Sequence, residues 1–169
     1  FEEAEGCGIA ATVAPCAALN GGAKRAMQGE SGGLDMQIDE ATRAAFQRDG
    51  VVLIKGLWAD HVDDLRVGVA RNMADPGPYA AENLKPGEGG RFFDDYCNWQ
   101  RIPEFEEAIR RSDVADVAAQ LMGSQSVQLF HDHVLVKEPG TSKPTPWHQD
   151  GPYYFVKGRQ TISFWSPMD

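Results

Sequence analysis

The sequence predicts a mainly β fold with flanking helices: a double-stranded β-helix, or jelly roll, only partly represented in these residues. Three observations carry the prediction. Helical patterns dominate the stretch from Asp39 to Met122. From Gln125 the apolar period falls from three or four residues to two. The strands that follow are closely spaced, which suits a helix-flanked jelly roll better than a parallel doubly wound sheet.

The elements follow in order. Residues 1–34 are rich in Gly and Ala and read as a flexible arm, with a short helix around Ala10 to Met27 broken near Pro15 and by the glycines. The domain proper is expected over 35–169. Asp39 can cap a helix that runs to Arg48 and stops at Gly50. Val51-Val52-Leu53-Ile54 reads as a buried strand. Asp60 can cap a second helix, in which Val62, Leu65, Val69 and Met73 recur at helical spacing before Pro76. Pro76 to Arg91 is a loop by composition, and Arg91 to Trp99 interleaves aromatics with acids, a core or cleft-rim pattern, with Asp94-Asp95 on the lid side. Pro103 to Arg111 and Asp113 to Met122 read as two helices, the second capped by Asp113 and ended by Gly123.

In the first late strand, Val127, Leu129, His131, His133 and Leu135 fall on one face, and Gln128, Phe130, Asp132, Val134 and Val136 on the other. A second strand carries Trp147 to Asp150 and a third Gln160 to Trp165. A jelly roll needs about eight strands. The chain is therefore expected to stop within its own barrel.

Composition narrows the function. At 169 residues with 42% apolar and 9% aromatic content, the chain can bury one ordinary core. Sixteen basic residues against 25 acids give a net charge of -9, which disfavours nucleic acid because no cation excess displaces phosphate counterions. Cys7, Cys16 and Cys97 form no disulfide or zinc pattern, so a reducing, cytoplasmic setting is expected. No apolar run reaches membrane-spanning length, and Gly8 to Ala14 lacks the basic flank of a signal peptide.

The chemistry concentrates in Pro144-Thr145-Pro146-Trp147-His148-Gln149-Asp150-Gly151-Pro152-Tyr153-Tyr154. On a strand, His148 and Asp150 would share a face with Cα atoms about 6–7 Å apart, close enough to lean onto one ion. Such a pair supplies two corners of a 2-His-1-carboxylate triad that leaves iron(II) positions open.

The run Trp147 to Tyr154, followed by Thr161-Ile162-Ser163-Phe164-Trp165, resembles the phytanoyl-CoA dioxygenase-like family of Fe(II)- and 2-oxoglutarate-dependent oxygenases. The resemblance runs roughly from Ile38 to Asp169 and is strongest after Leu129. It implies a cupin-like barrel, Fe(II) held by His148 and Asp150 as catalytic metal ligands, 2-oxoglutarate as cosubstrate and O2 as oxidant. The implied reaction hydroxylates a small organic substrate and yields succinate and CO2; the carboxylate at 150 points to hydroxylation over halogenation. The resemblance also places Trp165 beside the cosubstrate. Thr161, on the strand face of Ser163 and Trp165 by the period of two, is a candidate for a polar contact to it, as is one of His131 and His133, with His133 preferred. The family's second His and its 2-oxoglutarate-binding Arg have no counterpart: no histidine follows His148, and Arg159 falls too early. Both are expected beyond Asp169, which would leave residues 1–169 inactive alone.

Two rival readings stand. His131, His133 and His148 could form a cupin-like three-imidazole metal site, though the apolar neighbours of the first two suggest packing instead. Alternatively, the domain is non-catalytic and binds a small molecule or a partner protein. Lys137, Lys143, Lys157 and Arg159 are scattered where a CoA ester would want a basic cluster, so a free metabolite is the expected substrate.

Overall fold

The computed structural model describes residues 6–15, 36–154 and 160–168. Among these, helical residues outnumber strand residues, so the fold is mixed α/β rather than mainly β. Strands β1 (Gly6–Pro15), β2 (Ala81–Glu82), β3 (Phe92–Tyr96), β4 (Val127–Lys137) and β5 (Ile162–Pro167) form one sheet in the order β2-β3-β4-β1-β5. Every pairing is antiparallel. The α-helices are α1 (Glu40–Asp49), α2 (Val62–Ala74), α3 (Pro103–Arg111) and α4 (Val114–Met122), of which α2, α3 and α4 carry buried residues.

Helix boundaries follow local chemistry. Asp39 accepts the Thr42 N–H at 2.7 Å and begins α1, while Gly50, at φ 75°, takes the left-handed turn that ends it. Gly123 ends α4 the same way at φ 62°. Two expected caps differ. Helix α2 begins at Val62 after His61, not on Asp60, and Asp113 makes no side-chain cap on α4. Its carboxylate instead accepts the Met36 N–H at 3.3 Å, tying down the entry to α1.

The core fills one face of the sheet. Under β3 and β4, Phe93, Val134 and Val136 pack with Leu65 and Val69 of α2 and Phe105 and Ala108 of α3. Under β5, Ile162 and Phe164 pack with Val114, Val117, Ala118 and Leu121 of α4. The Trp58 ring packs against both clusters and its indole N–H donates to Ser166 Oγ at 2.7 Å. Truncating a buried ring such as Phe105 costs about 3–5 kcal/mol in sites of this kind.

Three other expectations change. Gly6–Pro15 belongs to the sheet's interior, between β4 and β5, where a loose arm and a helix from Ala10 were expected; residues 16–35 lie outside the described residues. Val51 to Ile54 is not a strand: Val52 and Ile54 pack against the core while Val51 and Leu53 are exposed. Finally, Trp147 to Asp150 is not a strand. Pro144 and Pro146 bring no N–H for a ladder, and Gly151–Tyr153 turns at once into a short 3-10 helix.

Strand β4 itself is irregular. Its register against β1 slips between Thr12, opposite His131, and Val13, opposite Leu129, which leaves Phe130 as the extra residue of a bulge. The slip resets the alternation. Val127 and Leu129 pack with the α4 core, while His131, His133 and Leu135 stand on the face away from the helices. The single face expected for all five residues is therefore split in two.

Candidate metal centre

Register builds the site face. His133 and Trp165 both stand opposite Ala10 of β1, and His131 and Ser163 both stand opposite Thr12. Tyr96 of β3 stands opposite His133 on its other side, and Asp94 opposite Leu135. Residues paired in this way share a sheet face. Tyr96, Asp94, His131, His133, Ser163 and Trp165 therefore occupy one face, opposite the helices.

Half-buried rings and a buried carboxylate line its β3–β4 side. The Tyr96 and His133 rings stack with centroids 3.9 Å apart, and Tyr96 meets His131 edge-on at 5.9 Å. Asp94 Oδ1 accepts Asn83 Nδ2 at 2.7 Å, and its Oδ2 lies 3.4 Å from His133 Nε2. That approach is too poorly directed for a hydrogen bond, so the buried Nε2 has no hydrogen-bond partner. Burial works against the Asp94 charge, but the His133 ring and the Asn83 amide outweigh it and hold the carboxyl below its ordinary range. Burial and the nearby Asp94 push the Tyr96 phenol up to about 12. Burial likewise lowers the His131 imidazole, against the opposing pull of the Asp132 carbonyl, and favours its neutral form.

His148 and Asp150 come together without a strand. His148 Nδ1 lies 2.7 Å from the Pro146 carbonyl, which can only accept, so Nδ1 carries the proton. In the neutral ring Nε2 is then a bare lone pair, and it faces Asp150 Oδ1 at 3.1 Å. Two acceptors at that distance repel unless a proton or a cation lies between them. The same geometry accommodates either an ion pair through a proton on Nε2 or a divalent metal between Nε2 and Oδ1, with Nδ1 committed to a backbone carbonyl as in imidazole metal ligands. Both side chains remain nearly half exposed, which leaves the pair open to solvent and substrate.

A tyrosine ties this pair to the sheet. The Tyr154 hydroxyl donates to Asp150 Oδ2 at 3.0 Å and lies 3.2 Å from Ser163 Oγ on β5. Its ring meets Phe130 at 5.3 Å and His131 at 5.5 Å, both edge-on. The unpaired Phe130 of the bulge thus forms part of the seat for Tyr154. No feature of the sequence reveals this contact, since Asp150 and Tyr154 are linked by a turn without a helical or strand period.

The other expected residues fall as follows. Trp165 is 61% exposed on the site face, not packed into the core. Thr161 is exposed just before β5 begins. Asp94 and Asp95 are buried strand residues, not a lid. His131, His133 and His148 do not assemble into a three-imidazole centre: among the described residues, no three His, Cys, Asp or Glu side chains form a group able to hold a metal.

No helix among the described residues is long and apolar enough to cross a membrane. No curated protein and no solved structure matches the chain. Residues 46–169 match the family model described as Phytanoyl-CoA dioxygenase (PhyH). With well over half of its length covered by that match, the chain belongs to the phytanoyl-CoA dioxygenase family, whose members are in general oxygenases of the Fe(II)- and 2-oxoglutarate-using type.

Proposed function

We propose that the protein hydroxylates a small organic metabolite, using Fe(II), 2-oxoglutarate and O2 and releasing succinate and CO2. The single observation that carries this reading is the His148 Nε2 to Asp150 Oδ1 approach, with Nδ1 committed to the Pro146 carbonyl. His148 Nε2 and Asp150 Oδ1 would hold the metal, which supplies oxygen activation when bound. The remaining residues bind, orient and exclude water. Trp165 and Thr161, on or beside the site face, are the proposed walls for 2-oxoglutarate. His133, which shares the site face with Trp165, is the proposed polar contact to it. The sheet would then be one half of a jelly roll whose interior is the site face.

The preference for a free metabolite over a CoA ester rests on the cations near the motif. Lys137 lies over the Phe92 ring at 4.8 Å and Lys143 donates to the Asn83 carbonyl, so both are engaged within the fold. A reducing, cytoplasmic setting and the absence of nucleic-acid partners belong to the same proposal. The test is succinate release by the full-length gene product with a panel of acyl-CoAs, their free acids and unrelated amino-acid and terpenoid metabolites. Stimulation by free metabolites is expected. Stimulation by thioesters alone would overturn the substrate class, and no succinate under any condition would overturn the oxygenase reading in favour of a binding domain.

A further inference from the structure

We propose that Tyr154 is a positioning residue that makes Asp150 a one-oxygen ligand, an inference that rests on the metal reading of His148 and Asp150. A carboxylate beside a divalent ion can bind through one oxygen or both. Binding through both would fill a coordination place that an open facial site must keep for substrate and oxygen. Here the two oxygens are already divided: Oδ1 faces His148 Nε2 at 3.1 Å, and Oδ2 accepts the Tyr154 hydroxyl at 3.0 Å.

The hydroxyl is itself held. Because its proton goes to a carboxylate, which can only accept, its lone pair accepts the Ser163 hydroxyl at 3.2 Å. The ring is seated by Phe130 and His131 of β4. The Tyr154 backbone N–H closes the short turn onto the Gly151 carbonyl at 3.2 Å. Tyr154 therefore links the irregular segment that carries the ligand pair to two strands of the sheet. That link matters because Asp150 is on no strand of its own and no ladder fixes its side chain.

The experiment compares Mn(II) binding by the full-length gene product with that of Tyr154→Phe and Ser163→Ala. Affinity is read by calorimetry and the binding mode by the infrared difference spectrum of the carboxylate stretches, assigned by their loss in Asp150→Asn. A carboxylate bound through one oxygen shows widely separated asymmetric and symmetric stretches; one bound through both shows a narrow separation. Tyr154→Phe, which removes only the hydroxyl, should weaken Mn(II) binding about 10- to 100-fold, as loss of an outer partner of a ligand does, and should narrow the separation. Ser163→Ala, which leaves the tyrosine in place, should shift both readouts in the same direction, with affinity falling about fivefold for one neutral hydrogen bond. Wild-type affinity and separation in Tyr154→Phe, with binding lost in His148→Ala, would overturn the positioning role and leave the metal reading intact. Lower affinity with an unchanged separation would also overturn it, since the tyrosine would then act only on local folding. Failure of the wild-type protein to bind Mn(II) would overturn the metal reading and this proposal with it.

Discussion

Tyr96 and His133 lie ring on ring across the β3–β4 pair, their planes 16° from parallel and Asp94 Oδ2 3.4 Å from the imidazole. The stack closes the site face on one side, and the carboxylate beneath it is held ionised. Asp94→Asn keeps the shape and removes the charge, so it should destabilise the protein at neutral pH by about 1–3 kcal/mol, the range for losing a charged hydrogen-bond acceptor. The pH dependence has a definite sign. A carboxyl lowered by folding contributes stability above its unfolded value of 3.8 and loses it as pH falls through the lower folded value. The gap between wild type and Asp94→Asn in urea unfolding should therefore close as pH drops below about 4.

Asp132 sits on the opposite face of the same sheet and should behave in the opposite way. Its Oδ2 accepts the Asn98 N–H at 3.1 Å and its Oδ1 the Trp99 N–H at 3.0 Å. Burial raises this carboxyl despite those donors. A carboxyl raised by folding binds its proton more tightly when folded, so ionising it costs stability as pH rises above 3.8 through the folded value. Unfolding curves for wild type and Asp132→Asn over the acid range should show wild type losing ground to the variant as pH rises. A gap that widened in favour of wild type would mean that the two N–H bonds outweigh burial.

The packing of α2 on α3 gives a prediction independent of the site. A Cβ built on Gly68 of α2 would lie 2.5 Å from Phe105 Cε1 and 3.1 Å from Glu104 Cβ, and Phe105 is only 2% exposed. Gly68→Ala gains helix propensity of about 1 kcal/mol. The clash should outweigh that gain and lower stability by about 1–3 kcal/mol, the usual cost of overpacking. Thermal unfolding of the single variant checks it, and a raised Tm would refute the tight packing of α2 on α3.

Much of this architecture was legible in the residues because it rests on local rules. Asp39 and Gly50 bound α1, Gly123 ends α4, and the period of two after Gln125 marks β4 and β5. What escaped depends on pairing. Gly6–Pro15 carries few large apolar residues, and only its two neighbouring strands make it a strand. The β4 bulge adds one residue at Phe130, and no local signal announces it, yet it moves Val127 and Leu129 to the core face. The His148-x-Asp150 motif was legible as chemistry, while its expected strand was wrong because Pro144 and Pro146 deny the ladder its donors. The pair meets instead through the Pro146 carbonyl and the turn at Gly151.

If His148 and Asp150 hold a divalent metal, anaerobic calorimetric titration of the full-length gene product with Mn(II) will show a single site. Its affinity should fall at least about tenfold in both His148→Ala and Asp150→Ala, with folding unchanged because both side chains are nearly half exposed. Undiminished Mn(II) binding in either variant would contradict that metal assignment.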